Sequence, residues 1–345
     1  MQAVIGGRIV EANEGDTILT VARKNLIYIP TLCYMEKIIP IGSCRLCLVE
    51  VEGYRNPVPA CTTNVTDGMV IRVNTQNLRE MRREMLKFIL MRHPLDCRLC
   101  DLSDRCILEN LIQEYEIDIQ TYKAKTVKKE YIPFATPAIE YHAERCIACS
   151  RCIRTCREFI GRSVLDLKGN GFEARMEPAA PERCISCGEC VSVCPVGALS
   201  DAATEPIRKT TYIKKIPTVC GYCGVGCSLE LNVSDNKVVR VTSNEYAGTN
   251  RGTLCVKGRY GFEFINSPER LTDPLIRKNG ELKEASWDEA LDYVAARLRI
   301  IKNKYGSDSI AGLASAKCTN EDNYVFQKFM RAVIGTNNID HCARL

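Results

Sequence analysis

Cysteine is the residue whose number and spacing give this chain its chemistry. The chain has 21 cysteines in 345 residues, and all except Cys318 and Cys342 fall into five groups with metal-ligand spacing. Thiolates suit zinc, copper(I) and iron–sulfur clusters, whereas the same cysteine density in a secreted chain would indicate disulfides. The spacing within each group therefore has to decide which chemistry applies.

Two groups, at residues 146–156 and 184–194, share the spacing C-x2-C-x2-C-x3-C, and Pro195 follows the second. This is the pattern of two-cluster ferredoxins, in which the fourth cysteine of each run ligates the other cluster, and it argues strongly against the structural zinc that an isolated Cys-x2-Cys would favour. We therefore expect two 4Fe-4S clusters with crossed ligand sets. One set is Cys146, Cys149, Cys152 and Cys194, and the other is Cys184, Cys187, Cys190 and Cys156.

A further group, Cys97, Cys100 and Cys106, is one ligand short of four. Imidazole is a known replacement for thiolate at iron, and His93 stands four residues before Cys97. We therefore predict a 4Fe-4S cluster bound by His93 and these three cysteines. His142 also precedes a Cys-x2-Cys pair, but the cysteines there already complete both sets, so we interpret His142 as structural.

The group Cys33, Cys44, Cys47 and Cys61 lies among predicted strands. Residues 3–5 and 8–11 form a hairpin pattern around Gly6 and Gly7, a helix begins near Asp16, and strands follow at 46–51 and 69–73. A small mixed sheet with a cysteine loop is what a plant-type 2Fe-2S ferredoxin domain needs. The cysteine spacing itself, x10, x2 and x13, differs from the simple plant pattern.

Other elements support these sites. A helix predicted at 76–92 has one apolar face and a basic remainder. The face comprises Leu78, Met81, Met85, Phe88 and Ile89, and the basic residues are Arg79, Arg82, Arg83 and Lys87. Helices at 286–304 and 320–333 flank a strand at 309–314, which indicates the opening of an α/β domain.

Composition narrows the class of protein. The apolar content of 46% fits a globular chain, and the net charge of +5 is too small to indicate a nucleic-acid or membrane surface. No membrane span, secretory signal or twin-arginine signal is present, and with metal-ligating cysteines this favours the reducing cytoplasm.

The expected fold class is α+β and multidomain. Its parts are a β-grasp 2Fe-2S ferredoxin domain, a helical one-His-three-Cys segment, a linker, a two-cluster ferredoxin domain, a further 4Fe-4S domain and the start of an α/β domain. Their expected bounds are 1–77, 78–118, 119–139, 140–205, 214–270 and 271–345. The basic stretch 123–129 is interpreted as solvated linker.

The order of sites in the first 205 residues resembles the N-terminal half of iron-only hydrogenases, and its first two elements resemble the large iron–sulfur subunit of respiratory complex I. The resemblance implies a series of iron–sulfur clusters that transfers electrons. The run from Cys220 to Cys227, followed by Cys255-Val256-Lys257-Gly258, is similar to the N-terminal 4Fe-4S domain of molybdopterin oxidoreductases. The similarity implies a fifth cluster on Cys220, Cys223, Cys227 and Cys255, with Lys257 as relay between cluster and pterin.

Residues 315–345 are similar to cytoplasmic formate dehydrogenases of that family. The similarity implies a molybdenum- or tungsten-bis-molybdopterin guanine dinucleotide, bound mostly by residues further along, with a cysteine or selenocysteine ligand expected directly after Leu345. We accordingly expect an in-frame UGA codon there, read as a stop. Lys317 stands where some relatives carry an arginine near the pterin. Cys318 and Cys342 each match a family position that is not the metal ligand, and His341 is not the family's catalytic histidine.

The resulting expectation is reversible, anaerobic oxidation of formate to CO2, with electrons passing through one 2Fe-2S and four 4Fe-4S clusters. The sequence has no G-x-G-x-x-G fingerprint, so a flavin-bearing diaphorase-like partner and other iron–sulfur subunits are implied, with NAD or ferredoxin as acceptor. Two alternatives stay open. One is an electron-transfer subunit of a complex I-like or hydrogenase complex, and the other is a zinc scaffold.

Overall fold

The computed structural model describes residues 1–100, 102, 106–119, 133–202, 212–245 and 247–342, with the side chain of Leu99 omitted. The predicted basic stretch 123–129 and the expected ligand position after Leu345 lie outside these residues, as do 343–345 themselves. The chain forms two compact units. One comprises 1–213 with 254–256, and the other comprises 214–253 with 257–345.

The first unit begins with a five-stranded mixed sheet and one helix, as predicted. The strand order is β2-β1-β5-β3-β4, with β1 antiparallel to β2 and parallel to β5. The assignment of residues 1–77 as a β-grasp domain remains a prediction. The bounds are β1 Gln2–Ile5, β2 Arg8–Glu11, α1 Ile18–Lys24, β3 Leu48–Val51, β4 Val58–Pro59 and β5 Val70–Arg72.

Helix α2, Gln76–Leu90, begins at an N-cap in which Thr75 Oγ1 accepts a hydrogen bond from the Leu78 amide. Its buried residues are Leu78, Arg82, Leu86 and Leu90, so the predicted packing face is partly wrong. Phe88 is 58% exposed and Arg82 only 1%. Arg82 is buried because its guanidinium donates to the carbonyls of Leu48 at 2.7 Å and Val73 at 2.9 Å, which ties the helix to the sheet.

The two-cluster segment is framed by one antiparallel strand pair. Strand β6, Ile139–Tyr141, pairs with β9, Leu199–Asp201, so all eight cysteines of the segment lie in the chain between them. The other bounds in this region are α3 Ile107–Glu114, α4 Arg151–Arg154, a π-helical continuation Thr155–Phe159, β7 Leu165–Lys168, β8 Arg175–Pro178 and α5 Glu189–Ser192. Single 3-10 turns occupy Cys97–Leu99, Ala143–Arg145, Gly171–Glu173 and Pro181–Arg183.

The second unit has a three-stranded antiparallel sheet, a hairpin and a parallel strand pair. The parallel pair, with a helix between its strands in sequence, is the βαβ beginning expected of an α/β domain. The bounds are β10 Lys214–Val219, β11 Ser228–Ser234, β12 Lys237–Thr242, α6 Val256–Tyr260, α7 Glu263–Asn266, β13 Leu275–Lys278, β14 Glu281–Glu284, α8 Trp287–Tyr305, β15 Gly312–Ala314, α9 Asn320–Lys328 and β16 Ile339–His341.

A small core of this unit is formed by Ile310, Met330 and Ile334, the last two on the π-helical stretch Phe329–Ile334 after α9. Within the residues described, no helix combines the length and the apolarity that crossing a membrane requires.

Candidate iron–sulfur sites

The four cysteines of the first group come together as two pairs of thiols. Cys33 shares a hydrogen bond with Cys44, Cys47 shares one with Cys61, and the Cys44 amide also points at Cys33 Sγ, 3.4 Å away. The bond from Cys44 lowers the pKa of Cys33 to about 6, and Cys47 likewise lowers the pKa of Cys61. Two thiol pairs suit a two-iron cluster, because each iron would take two cysteines.

His93 is placed as a metal-ligating histidine would be. It follows α2 by three residues, is 7% exposed, and its Nδ1 lies 3.1 Å from the carbonyl oxygen of Arg145. Burial lowers the pKa of His93 to about 4, so the ring is neutral and donates the Nδ1 hydrogen to that carbonyl. The other ring nitrogen, Nε2, then carries the lone pair that a metal needs.

The three cysteines of the same group lie at the ends of short helical turns. Cys97 opens a 3-10 turn, and Cys106 caps α3, its sulfur accepting from the Glu109 amide at 3.4 Å. Burial raises the pKa of Cys106 to about 11. A buried thiol with a raised pKa becomes a thiolate only beside positive charge, and iron would provide that charge.

The eight cysteines of the two-cluster segment line two cavities, four in each. One is lined by Cys156, Cys184, Cys187 and Cys190, and the other by Cys146, Cys149, Cys152 and Cys194. The two linings coincide with the crossed sets that the spacing predicts, and the ligand assignment itself remains a prediction. Among the described residues, no three His, Cys, Asp or Glu side chains lie as close together as the ligands of one metal ion. A cluster set is wider, since its thiolates bind separate iron atoms.

The second cavity contains a buried hydroxyl that indicates what could occupy it. Tyr141 is 7% exposed, and its hydroxyl lies beside the Cys146 thiol without a well-formed hydrogen bond to any described protein atom. Burial first, and Cys146 second, raise the pKa of Tyr141, so the hydroxyl stays a donor. A buried donor in a cavity lined by four cysteines fits a group with anionic sulfur acceptors.

The His93 site and the Cys146 set meet at the segment that follows Cys194. The Ile107 amide donates to the Pro195 carbonyl at 3.1 Å, and a Cβ added at Gly197 would lie 2.2 Å from Cys100 Sγ. With the hydrogen bond from His93 to the carbonyl of Arg145, the residue before Cys146, three contacts join these sites. Sequence reasoning missed Gly197 and Tyr141, because neither residue type carries a ligand signal.

Three cysteines of the fifth group, Cys220, Cys223 and Cys227, lie in the second unit. Cys255 is exposed. The loop after β10 closes through the Cys220 amide, which donates to the Cys227 carbonyl at 2.8 Å. Lys257 is exposed on α6. The ligand set and the relay role of Lys257 both remain predictions.

The residues expected near the pterin lie on the surface of the second unit. Lys317 is exposed, and its amide donates to Ser315 Oγ at 3.1 Å. Cys342 Sγ lies 3.8 Å from the same oxygen, and backbone hydrogen bonding near Ala316 lowers the pKa of Cys342.

His142 lies 3.8 Å from carboxylates of Glu140 and Glu144, and its structural role remains a prediction.

Five family profiles match along the chain in the predicted order. They are a 2Fe-2S iron–sulfur cluster binding domain at 2–76, an NADH-ubiquinone oxidoreductase-G iron–sulfur binding region at 82–121, a 4Fe-4S dicluster domain at 145–198, a molybdopterin oxidoreductase Fe4S4 domain at 213–267 and a molybdopterin oxidoreductase at 270–345. The expected sequence resemblance to molybdopterin oxidoreductases with an iron–sulfur N-terminal region is therefore confirmed.

Curated relatives are similar along nearly the whole chain. An NADH-quinone oxidoreductase subunit of Rhizobium meliloti is 38% identical over 100% of this chain, and NADPH-Fe(3+) oxidoreductase subunit alpha of Geobacter sulfurreducens is 36% identical over 99%. A provisionally named formate dehydrogenase of Staphylococcus haemolyticus is 33% identical over 96%. The chain spans 40%, 40% and 38% of the length of these relatives.

A solved structure of an NAD+-reducing [NiFe]-hydrogenase in the H2-reduced state shares the fold over part of the chain. The TM-score is 0.55 at 23% identity, over 61% of this chain and 90% of the hydrogenase chain. At that identity the likeness concerns the fold alone.

Proposed function

From the matches of residues 213–267 and 270–345 to molybdopterin oxidoreductase family models, we propose that the whole protein oxidises formate to CO2, reversibly, and passes the electrons through this chain. The observation that supports the electron-transfer part is that the two crossed cysteine sets line two cavities, while His93 bonds to the residue before Cys146. The formate part is supported by the sequence of residues 315–345 and by the formate dehydrogenase name of a relative.

The proposal assigns one 2Fe-2S and four 4Fe-4S clusters to this chain. Iron–sulfur clusters supply one-electron transfer, and a molybdenum or tungsten bis-pterin centre supplies two-electron chemistry at formate. The chain's own residues would hold these groups. His93 is kept neutral by burial, and Tyr141 presents a hydroxyl to the Cys146 set. Lys257 is proposed as the relay between the fifth cluster and the pterin, and Lys317 as a pterin contact.

The proposed partners are a flavin-bearing diaphorase-like subunit and further iron–sulfur subunits, in the reducing cytoplasm. Relatives named as subunits of NADH-quinone and NADPH-Fe(3+) oxidoreductases support a nicotinamide-linked acceptor, and ferredoxin is a further candidate. A selenocysteine or cysteine encoded directly after Leu345 is proposed as the ligand of the catalytic metal.

A second candidate function is electron transfer without pterin chemistry. It is favoured by the 38% identity to a relative named as a subunit of NADH-quinone oxidoreductase. In this case the residues that follow the second β-strand of the βαβ element would bind no active molybdenum or tungsten centre.

The test is the product of the complete gene, including whatever codon follows Leu345, purified anaerobically from a host that can insert selenocysteine. Formate should reduce a viologen dye, and the protein should contain molybdenum or tungsten with pterin. Replacing the residue encoded directly after Leu345 by alanine is the control, and it should abolish dye reduction while the iron content stays constant. Iron without molybdenum, tungsten or pterin would favour electron transfer alone.

A further inference from the structure

A buried arginine joins the two-cluster segment to the 2Fe-2S loop. Arg154 ends helix α4 and is 6% exposed. Its guanidinium donates to the carbonyl of Cys33 at 2.7 Å through one terminal nitrogen and to the carbonyl of Ile39 at 2.5 Å through the other. Arg154 itself lies between Cys152 and Cys156, which are predicted ligands of different 4Fe-4S clusters.

Neighbouring side chains of the same helical segment contact the same loop. Arg151 donates to the carbonyl of Leu32 at 3.4 Å, and the Glu158 carboxylate accepts the amide of Ile39 at 2.9 Å. Three side chains from one face of the segment therefore contact the backbone of residues 32–39. Through Arg154, this contact reaches the backbone of Cys33, a predicted cluster ligand.

Arg154 carries a buried positive charge that is not balanced by a carboxylate partner among the described residues. In the described part of the chain its guanidinium faces two carbonyls and pairs with no carboxylate, and its Nε is buried without a hydrogen-bond acceptor. A buried cation is costly unless negative charge lies close by. A cluster with four thiolate ligands is such a charge, and it becomes more negative when it is reduced.

We propose that Arg154 is the positioning residue of the 2Fe-2S site: it fixes the Cys33 loop on the helical segment that carries Cys152 and Cys156, and its charge raises the reduction potential of that site. The inference rests on the proposed cluster assignment and extends it. A nearby positive charge stabilises the reduced state more than the oxidised one, so the site accepts an electron more readily. No bond forms or breaks in this role.

The test is redox titration of the anaerobically purified protein, followed by the 2Fe-2S EPR signal at a temperature where 4Fe-4S signals are broadened. Arg154→Met keeps side-chain length and removes the charge. It should lower the potential by about 59 mV, which corresponds to a tenfold change in the one-electron equilibrium constant. Arg154→Lys keeps the charge but loses the two-carbonyl fork, so the potential should stay near that of the unmodified protein while 2Fe-2S occupancy falls.

The matched control is Arg157→Met, the same substitution on the next turn. The Arg157 side chain is 52% exposed and pairs with Asp166 at 3.5 Å, so solvent screens its charge and the 2Fe-2S potential should not move. An unchanged potential in Arg154→Met would overturn the inference. So would an equal fall in Arg154→Lys and Arg154→Met, because charge would then not be the cause.

If Arg154→Met retains no 2Fe-2S signal, the test rests on Arg154→Lys. A 2Fe-2S potential equal to that of the unmodified protein then supports the inference, and a lower potential overturns it. Absence of a 2Fe-2S signal in the unmodified protein would instead contradict the cluster assignment on which the inference rests. That failure is distinct from the others, since none of these measurements depends on formate or molybdenum.

Discussion

The imidazole Nδ1 of His93 lies 3.1 Å from the carbonyl oxygen of Arg145, the residue immediately before Cys146. This hydrogen bond fixes the ring tautomer and directs Nε2 away from the carbonyl. It also connects a predicted ligand of one cluster to the backbone beside a predicted ligand of another. A short path through this hydrogen bond would serve electron transfer between the two sites.

Replacement of His93 should show whether this residue binds iron or only packs in the core. We expect His93→Ala to lose one cluster, roughly four iron atoms per protein, because three cysteines cannot complete the set. His93→Cys should retain the iron, since thiolate is the commoner ligand. His142→Ala is the control, and total iron by chemical analysis is the measurement. Equal iron in all three variants would show that His93 is not a ligand.

Gly197 should be intolerant of any side chain. Its backbone does not require glycine, but a Cβ would lie 2.2 Å from Cys100 Sγ and displace that sulfur. We therefore expect Gly197→Ala to lose the same cluster as His93→Ala. Gly221→Ala is the matched control, because it also neighbours a predicted ligand yet its Cβ would meet nothing within 4 Å. Full iron content in Gly197→Ala would contradict the prediction.

Cysteine spacing predicts the ligand groups well because ligation requires particular residue types at particular separations. Packing is less predictable, as α2 shows. Apolar periodicity predicts a buried Phe88, whereas the structure buries Arg82, since only the folded sheet supplies the carbonyls of Leu48 and Val73. The roles of Arg154 and Gly197 likewise depend on partners more than 90 residues away in the sequence.

The crossed ligand sets can be tested with pairs of substitutions. Cys156 and Cys187 line one cavity, whereas Cys149 lines the other. The double variant Cys156→Ala/Cys187→Ala should therefore lose one cluster, about as much iron as either single variant. Cys156→Ala/Cys149→Ala should lose two clusters, roughly eight iron atoms. The reverse pattern of iron loss would indicate that each cysteine run holds its own cluster.

Tyr141 should tune the cluster held by the Cys146 set. Its buried hydroxyl has no well-formed bond to the described protein atoms, so a cluster sulfur or thiolate is the available acceptor. Such a bond stabilises the reduced state by about 0.5 to 1 kcal/mol, so Tyr141→Phe should lower the potential of that cluster by roughly 20 to 40 mV.

The pH dependence of the Tyr141→Phe shift separates a neutral donor from an ionising one. Burial and Cys146 raise the pKa of Tyr141 above its usual value near 10, so the hydroxyl stays protonated and the shift should be constant from pH 6 to pH 9. Tyr115→Phe is the control, because the Tyr115 hydroxyl is also buried but accepts from Arg82 at 3.3 Å. EPR-monitored titration should show no shift in that variant, and equal shifts in both would point to loosened packing.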